Sequence, residues 1–164
     1  MTARILEAVP NFSEGRDLAV VGSIVDAMRK SGAEVLDWSA DADHHRSVVT
    51  VIGPPKLVED AAFAGAAVAV EKIDLRQHRG AHPRIGATDV LPFVPLAGLS
   101  MTDAAASARR VGERLASELD LPVYFYGAAS EPPGRSLAKL RRGGFEQIVG
   151  GWSTERVPDL LPAN

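Results

Sequence analysis

Residues 34–52 read EVLDWSADADHHRSVVTVI, and this stretch decides the fold. Two apolar or β-branched runs, Glu34–Trp38 and Ser47–Ile52, lie on either side of a polar turn. Such runs, separated by turn residues, predict two strands. The second run is apolar on both of its faces, which predicts a strand in the buried centre of a sheet.

The residues before this stretch predict a strand followed by a helix. An extended start around Ile5–Val9 is closed by Pro10, which cannot donate to a strand ladder. Apolar residues then recur at helical spacing from Leu18 to Met28, and Gly32 follows them as a stop signal. The helical face is formed by Leu18, Val21, Ile24, Val25 and Met28.

The residues after this stretch predict a second helix and a further strand. Pro54 is typical of a helix start. Helical spacing then predicts that Leu57, Ala61, Ala64 and Val68 form one face. The next strand is predicted at Val90–Val94, and its prolines favour an edge or bulged position in the sheet.

The resulting order β-α-β-β-α-β predicts an α+β fold of the ferredoxin-like split βαβ type, a two-layer sandwich. An extra helix and strand extend it: the helix follows a capping box at Ser100 and Asp103, and the strand is predicted at Pro122–Tyr126. A short basic helix is expected at Arg135–Arg142, ended by two glycines. Because all helices lie on one side, the other face of the sheet needs a ligand, a partner or a second domain.

Composition places the chain among ordinary globular proteins. Of its 164 residues, 46% are hydrophobic and 24% are charged, which suits one domain with its own core. The absence of cysteine excludes disulfide scaffolds, thiol nucleophiles and iron–sulfur clusters. The net charge of −3, without a basic half, argues against nucleic acid as a partner.

No targeting or membrane segment is predicted. The start lacks a long apolar stretch of the secretory type, and the most apolar run, Ala61–Val70, is too short to cross a bilayer. We therefore expect a cytoplasmic protein without a membrane partner.

All four histidines lie in two polar clusters. His44 and His45 belong to the turn DADHHR, whereas His78 and His82 belong to the long polar segment 76–89. Histidine exchanges protons near neutral pH, and arginines such as those in this segment bind carboxylates in a fork. Since long polar loops often carry function, the two clusters together predict a site for an anionic substrate.

A metal site is the competing interpretation of these clusters. His78 and His82 have the i, i+4 spacing of a helical metal pair, and Asp41, Asp43 and His44 offer further ligands. Gly80 lies inside the pair and Pro83 follows it, which disfavours a helix there. We therefore expect no metal, although a metal-dependent hydrolase stays an alternative.

Four motifs, in order, resemble the N-terminal subdomain of glutamate formimidoyltransferase, the folate enzyme of histidine breakdown. The motifs are VPNFSEGRD (9–17), DADHHRSVVTVIGPP (41–55), HRGAHPRIGATDVLPFVP (78–95) and LPVYFYGAAS (121–130). His45 stands where the family usually has asparagine. The resemblance implies a transferase that moves a formimino group from N-formimino-L-glutamate to N5 of tetrahydrofolate, its co-substrate, without a metal.

The resemblance also implies which residues act. His82, within the motif G-x-H-P-R, is expected to be the general acid and base. The polar turn and the arginines are expected to bind substrate; these residues are Asp43, His44, Arg46, Arg79 and Arg84.

The family enzyme is about twice as long and holds folate between two subdomains of similar build. We accordingly expect residues 1–150 to form the N-terminal subdomain and residues 151–164 to form a tail, with the second subdomain absent. The resemblance thus predicts either a homodimer or association with a missing C-terminal subdomain. A folate-binding or interaction module without catalysis is the main alternative function.

Overall fold

An antiparallel sheet with helices packed on one face positions the polar loops of this chain. The structure is a computed structural model that describes residues 2–154 and 156–162. The strands of the described part are β1 (Ile5–Ala8), β2 (Asn11–Phe12), β3 (Glu34–Asp41), β4 (Arg46–Gly53), β5 (Thr88–Val90) and β6 (Phe93–Ala97). The helices there are α1 (Leu18–Lys30), α2 (Pro55–Lys72), α3 (Met101–Leu119), α4 (Leu137–Arg141) and α5 (Gly144–Val149). The predicted α+β class is therefore confirmed.

Strand β4 lies at the centre of the sheet, as its two apolar faces predicted. It pairs with β3 on one side and with β1 and β2 on the other. Strands β5 and β6 pair with β2 and β1 and form the opposite edge. The predicted strand at Val90–Val94 is interrupted at Leu91 and Pro92, in agreement with an edge position for this proline-containing segment.

The alternation along the central strands separates a core face from an open face. Leu6, Ala8, Val49 and Val51 are fully buried against α1 and α2, together with Phe12 and Met28. The residues between them are less buried, and Val94 and Leu96 of β6 are 38% and 53% exposed. The open face that the element order predicted is therefore present in the described chain.

The helix boundaries follow the local signals in the sequence. Asp17 caps α1 by accepting from the backbone N–H groups of Ala19 and Val20. At α3, the Ser100 and Asp103 side chains form both hydrogen bonds of the predicted capping box. Arg142 and Gly143 separate α4 from α5, a short helix that the sequence patterns had not predicted.

The buried face of α2 is broader than the predicted one. Of the predicted face, Ala61 is fully buried, Leu57 and Val68 pack against the core, and Ala64 is partly buried. The buried positions outside the predicted face include Val58, Ala62, Gly65 and Ala69. A methyl group added at Gly65 would lie 2.9 Å from the Met28 side chain, so the smallest residues mark the closest helix–helix approach.

The predicted strand at Pro122–Tyr126 is wrong. Val123 makes only an isolated bridge, to Leu160, and the segment does not join the sheet. Phe125 packs on a helix instead: a methyl group added at Gly112 of α3 would lie 2.7 Å from the Phe125 ring. Alternating apolar residues were satisfied by packing on α3, so the ladder predicted from their period did not form.

Candidate functional site

Three loops meet at one end of the sheet and build the candidate site. The Ala81 N–H donates to the Asp43 carbonyl (3.2 Å), which joins the segment 73–87 to the turn after β3. Arg16 Nε donates to the Ala42 carbonyl (2.8 Å). Ser13 Oγ donates to the Gly86 carbonyl (2.7 Å). The two histidine clusters of the sequence are thereby brought together, with the loop 13–17 between them.

Glycines allow this close approach of backbones. A Cβ atom at Gly80 would lie 2.5 Å from the His44 carbonyl oxygen, closer than real Cβ atoms come. A Cβ atom at Gly15 would collide with the Asp41 carbonyl and lie 2.5 Å from the Arg46 nitrogen. Both contacts are with backbone atoms, which cannot turn aside as a flexible side chain can.

His78 is held inside this assembly. It is 3% exposed, and its ring stacks on the His45 ring at 4.2 Å with the planes 8° apart. Its Nε2 donates to the His45 carbonyl (2.8 Å), because a carbonyl oxygen accepts only. Burial lowers the pKa of His78 and outweighs this hydrogen bond. His78 therefore stays neutral near pH 7 and ties the two histidine clusters together.

The His45 ring, which stacks on His78, is itself held by the Glu14 carboxylate. His45 has a left-handed backbone (φ +53°), a conformation that is uncommon for residues other than glycine. Its Nε2 lies 2.9 Å from a Glu14 carboxylate oxygen that also accepts from three backbone N–H groups of residues 15–17. Burial raises the pKa of Glu14, but the donors of Arg16 and Asp17 and the His45 ring outweigh it and hold this pKa below its usual value.

His82 lies among charged groups and keeps access to solvent. Its side chain is 16% exposed, and Arg46 Nη1 of β4 lies 3.5 Å from both ring nitrogens. Burial, Arg46 and Arg141 lower the pKa of His82, and Asp89 opposes them. Neutral imidazole, the form that accepts a proton, therefore predominates near pH 7.

Asp89 lies behind His82 and is buried. Its side chain is 1% exposed; one oxygen accepts from the Ile85 N–H (2.7 Å), and the other lies 2.6 Å from Arg141 Nη2 and 3.5 Å from His82 Nε2. Arg141 belongs to α4, so this carboxylate connects the histidine loop to the C-terminal part of the chain.

The other predicted site residues lie in two places. On the turn, Asp43 and His44 are exposed, and His44 Nδ1 contacts Asp41 at 2.9 Å. In the loop, Arg79 is exposed and donates to the carbonyls of Arg76 and His78. Arg84 is buried, donates to the Leu75 and His78 carbonyls and pairs with Glu146 at 2.9 Å. The structure thus brings Arg46 to His82 and directs Arg84 toward α5.

Two cavities adjoin these loops. A cavity of about 280 Å³ lies between α3, β5, β6 and the segment 121–129; its lining is mainly apolar, with Asp89 and Tyr126 among it. An open cleft of about 820 Å³ on the other side is lined by Arg76, His78, Arg79, Arg84, Phe145 and Val149. Burial raises the pKa of Tyr126, which keeps its hydroxyl protonated at neutral pH.

The described residues contain neither a cluster of metal-ligating side chains nor a helix that could span a membrane. Within residues 2–154 and 156–162, no group of three or more His, Asp or Glu side chains is placed to share a metal ion. The segment between His78 and His82 is not helical, so these residues lack the one-face geometry of a helical metal pair. Among the described helices, none has the length and apolar character that spanning a membrane requires.

Sequence reasoning missed the residues that support the histidines. Asp89, Arg141 and Glu14 were not among the predicted site residues, yet all three contact or face the histidine clusters. Arg141 is 52 residues from its partner Asp89, and no local pattern marks such a pair. Glu14 lies inside the motif VPNFSEGRD and Asp89 lies inside the motif HRGAHPRIGATDVLPFVP, so these two motifs were the available signals.

Comparison with known proteins identifies the family. A family model described as formiminotransferase domain, N-terminal subdomain, matches residues 5–164. The chain is 46% identical over 164 residues to a glutamate formimidoyltransferase of Thermoplasma acidophilum, covering 97% of this chain and 54% of that protein.

Two further relatives extend the comparison. The chain is 42% identical over 146 residues to a glutamate formimidoyltransferase of Streptococcus pyogenes, covering 88% and 49% of the two chains. It is 40% identical over 165 residues to a formimidoyltransferase-cyclodeaminase of Rattus norvegicus, covering 99% and 30%. The chain thus spans about a third to about half of the length of these relatives. It belongs to the family of the formiminotransferase domain, N-terminal subdomain.

Proposed function

We propose that this chain supplies the catalytic part of a glutamate formimidoyltransferase. In this proposal, a formimino group passes from N-formimino-L-glutamate to N5 of tetrahydrofolate, with His82 as general acid and base. The observation that carries the proposal is the position of His82, half-buried between Arg46 and Asp89 in a chain of this family. The names of the relatives support the reaction class.

The chemistry requires proton transfer and no covalent intermediate on the protein. N5 of tetrahydrofolate attacks the amidine carbon, and a C–N bond forms to give a tetrahedral adduct. His82 takes the proton from N5 and gives it to the glutamate nitrogen, after which the bond to that nitrogen breaks and glutamate leaves. One imidazole near neutrality serves both steps, for a contribution of roughly 10²–10⁴-fold. The reaction written in this way uses no metal.

The arginines and the polar turn are proposed to bind the anionic substrates. Arg46 lies next to His82, so a carboxylate or developing negative charge at the reacting centre is within its reach. Arg79 and Arg84 line the open cleft behind the loop, where the glutamate or folate carboxylates are proposed to dock. Asp43 and His44 lie on the exposed turn beside the loop and are proposed to contact the substrate from there.

The finer fold assignment and the partner belong to the same proposal. When β1 with β2 and β5 with β6 are each taken as one interrupted strand, the sheet order supports a ferredoxin-like split βαβ arrangement. The exposed Val94 and Leu96 lie on the face without helices. We propose that a C-terminal subdomain, or a second copy of the chain, covers this face and closes the folate site.

A folate-binding module without catalysis is the second candidate function. The observation that favours it is the open cleft of the described chain, which is lined by Arg79 and Arg84 but not by His82. A site that does not enclose both substrates loses the contribution of proximity and orientation, while single substrates still bind.

The two functions are separated by one experiment with two readouts. Formimino transfer is measured for the chain alone and with the remaining part of the Streptococcus pyogenes relative supplied, and tetrahydrofolate binding is measured by calorimetry. We expect transfer with the second part present and its loss in His82→Ala, while the exposed control Arg29→Ala is unchanged. Wild-type turnover in His82→Ala would contradict the mechanism, and binding without turnover in either mixture would favour the module.

A further inference from the structure

Asp89 combines full burial with a position directly behind the histidine loop. Its side chain is 1% exposed, less than any other carboxylate of the described ion pairs. Burying a carboxylate is unfavourable unless donors compensate it, and here the Ile85 N–H and Arg141 do so. The third group that faces it is His82 Nε2, at 3.5 Å.

We propose that Asp89 is a positioning residue that orients the His82 ring and fixes its tautomer; the catalytic meaning of this rests on the proposed function. A carboxylate accepts only, so the His82 nitrogen that faces Asp89 is the one that bears the proton. Nδ1 then carries the lone pair and is the nitrogen that takes a proton from the substrate. In the Ser-His-Asp triad, likewise, one imidazole nitrogen donates to the carboxylate and the other nitrogen takes the proton.

Arg141 pairs with the Asp89 carboxylate and offsets its negative charge. Its Nη2 contacts the same Asp89 oxygen that faces His82, and its side chain is 19% exposed. The charged groups that face His82 are therefore Arg46 from β4, Asp89 from β5 and Arg141 from α4. Arg141 holds Asp89 in place and also limits how strongly the carboxylate attracts a proton to His82.

The test uses two substitutions that act in opposite directions on one ring. The protonation midpoint and tautomer of His82 are followed by ¹⁵N-detected NMR of the imidazole nitrogens in the 164-residue chain, with His82→Gln to assign the signals. Asp89→Asn removes a negative charge beside the ring and is expected to lower the midpoint by about one pH unit. Arg141→Gln removes a positive charge and is expected to raise it.

The NMR experiment decides the proposal without a measurement of enzymatic activity. Opposite shifts, together with a proton on Nε2 in the wild type, are the expected result. Unchanged midpoints in both variants, or a proton on Nδ1 in the wild type, would overturn the proposal. Where Asp89→Asn does not fold, the upward shift in Arg141→Gln and the wild-type tautomer decide the question.

Activity then separates this proposal from the proposed function. In an active assembly, Asp89→Asn is expected to lower kcat about tenfold or more, within the roughly 10²–10⁴-fold of general acid–base catalysis, with little change in KM. The exposed helix residue Asp26 supplies the matched control, and Asp26→Asn is expected to change neither parameter. Opposite NMR shifts with an unchanged kcat would retain the Asp89 contact and overturn its importance for catalysis, whereas failure of the proposed function shows as normal turnover in His82→Ala.

Discussion

His78 and His82 lie four residues apart on one loop, yet their surroundings differ in kind. His78 is 3% exposed, stacks on His45 and donates to a backbone carbonyl. His82 has a 16% exposed side chain and faces an arginine and a carboxylate. Burial is the largest cause that lowers the pKa of both rings. The pKa direction alone therefore does not distinguish the buried His78 from His82, the proposed catalytic histidine, whereas the partners of the two rings differ.

The difference shows how one loop serves two purposes. A ring that donates to a buried carbonyl stabilises the fold as long as this hydrogen bond persists, so it is unsuited to exchanging protons with a substrate. A ring between opposite charges near solvent retains a nitrogen for exchange. His78 therefore shapes the loop, and the loop presents His82.

The largest expected effect is on stability, from His78→Ala. The substitution removes the stacked ring and leaves the His45 carbonyl unpaired, at a cost of about 2–4 kcal/mol in the free energy of unfolding. His82→Ala is expected to cost less than about 1 kcal/mol, since its contacts are longer and partly exposed. Urea unfolding of both variants measures the contrast, and equal losses would contradict the division.

Gly80→Ala is expected to be the next largest perturbation. Its new methyl group would lie 2.5 Å from the His44 carbonyl oxygen, so one of the two backbones must move. Overpacking of this kind costs about 1–3 kcal/mol. Urea unfolding gives the stability, and the NMR signals of His82 report the displaced loop. An unchanged His82 environment would show that the close approach does not position the site.

The dependence of stability on pH should reveal both histidines. An unfolded histidine titrates near 6.5, and both rings have lower pKa values in the folded chain. The unfolded chain then binds more protons below about pH 6.5, so stability is present above this pH and is lost as the pH falls.

The expected result is a lower free energy of unfolding at pH 5.5 than at pH 7.5, since both histidine pKa values are lowered by folding. Urea unfolding at the two pH values measures it in the wild type, His78→Gln and His82→Gln. Each single variant should keep part of the pH dependence. A dependence unaltered in both variants would assign it to other groups.

Gly22→Ala has the smallest expected effect and serves as the matched control for Gly80→Ala. Gly22 lies within α1, and a methyl group there would meet nothing within 4 Å. Alanine is favoured over glycine inside a helix, so stability should rise by about 0.5–1 kcal/mol. A thermal melt detects the change, and destabilisation would show that packing around α1 is tighter than described.

Much of the fold could be predicted from the sequence because local physics fixes it. The capping box at Ser100, the stop at Gly32 and the apolar run Ser47–Ile52 each act within a few residues. The strand prediction for Pro122–Tyr126 was wrong for the opposite reason. An alternating pattern indicates which side chains are buried, but not against which element they pack. Phe125 packs on α3, a contact that its own neighbours do not specify.

The site was predictable in its residues and much less so in its contacts. His82 and Arg46 were named from motifs and lie together, whereas their roles stay predictions. Asp89 and Arg141 were missed because their pairing joins segments 52 residues apart. The direction of Arg84 toward Glu146 also depends on α5, a helix without a clear sequence signal.

The most direct test of the account is formimino transfer by His82→Ala with and without added imidazole, beside His78→Ala under the same conditions. We predict that His82→Ala loses roughly 10²–10⁴-fold in turnover and regains part of it when imidazole replaces the missing ring. Folded His78→Ala should show no such recovery. Normal turnover of His82→Ala in the absence of imidazole would contradict the account.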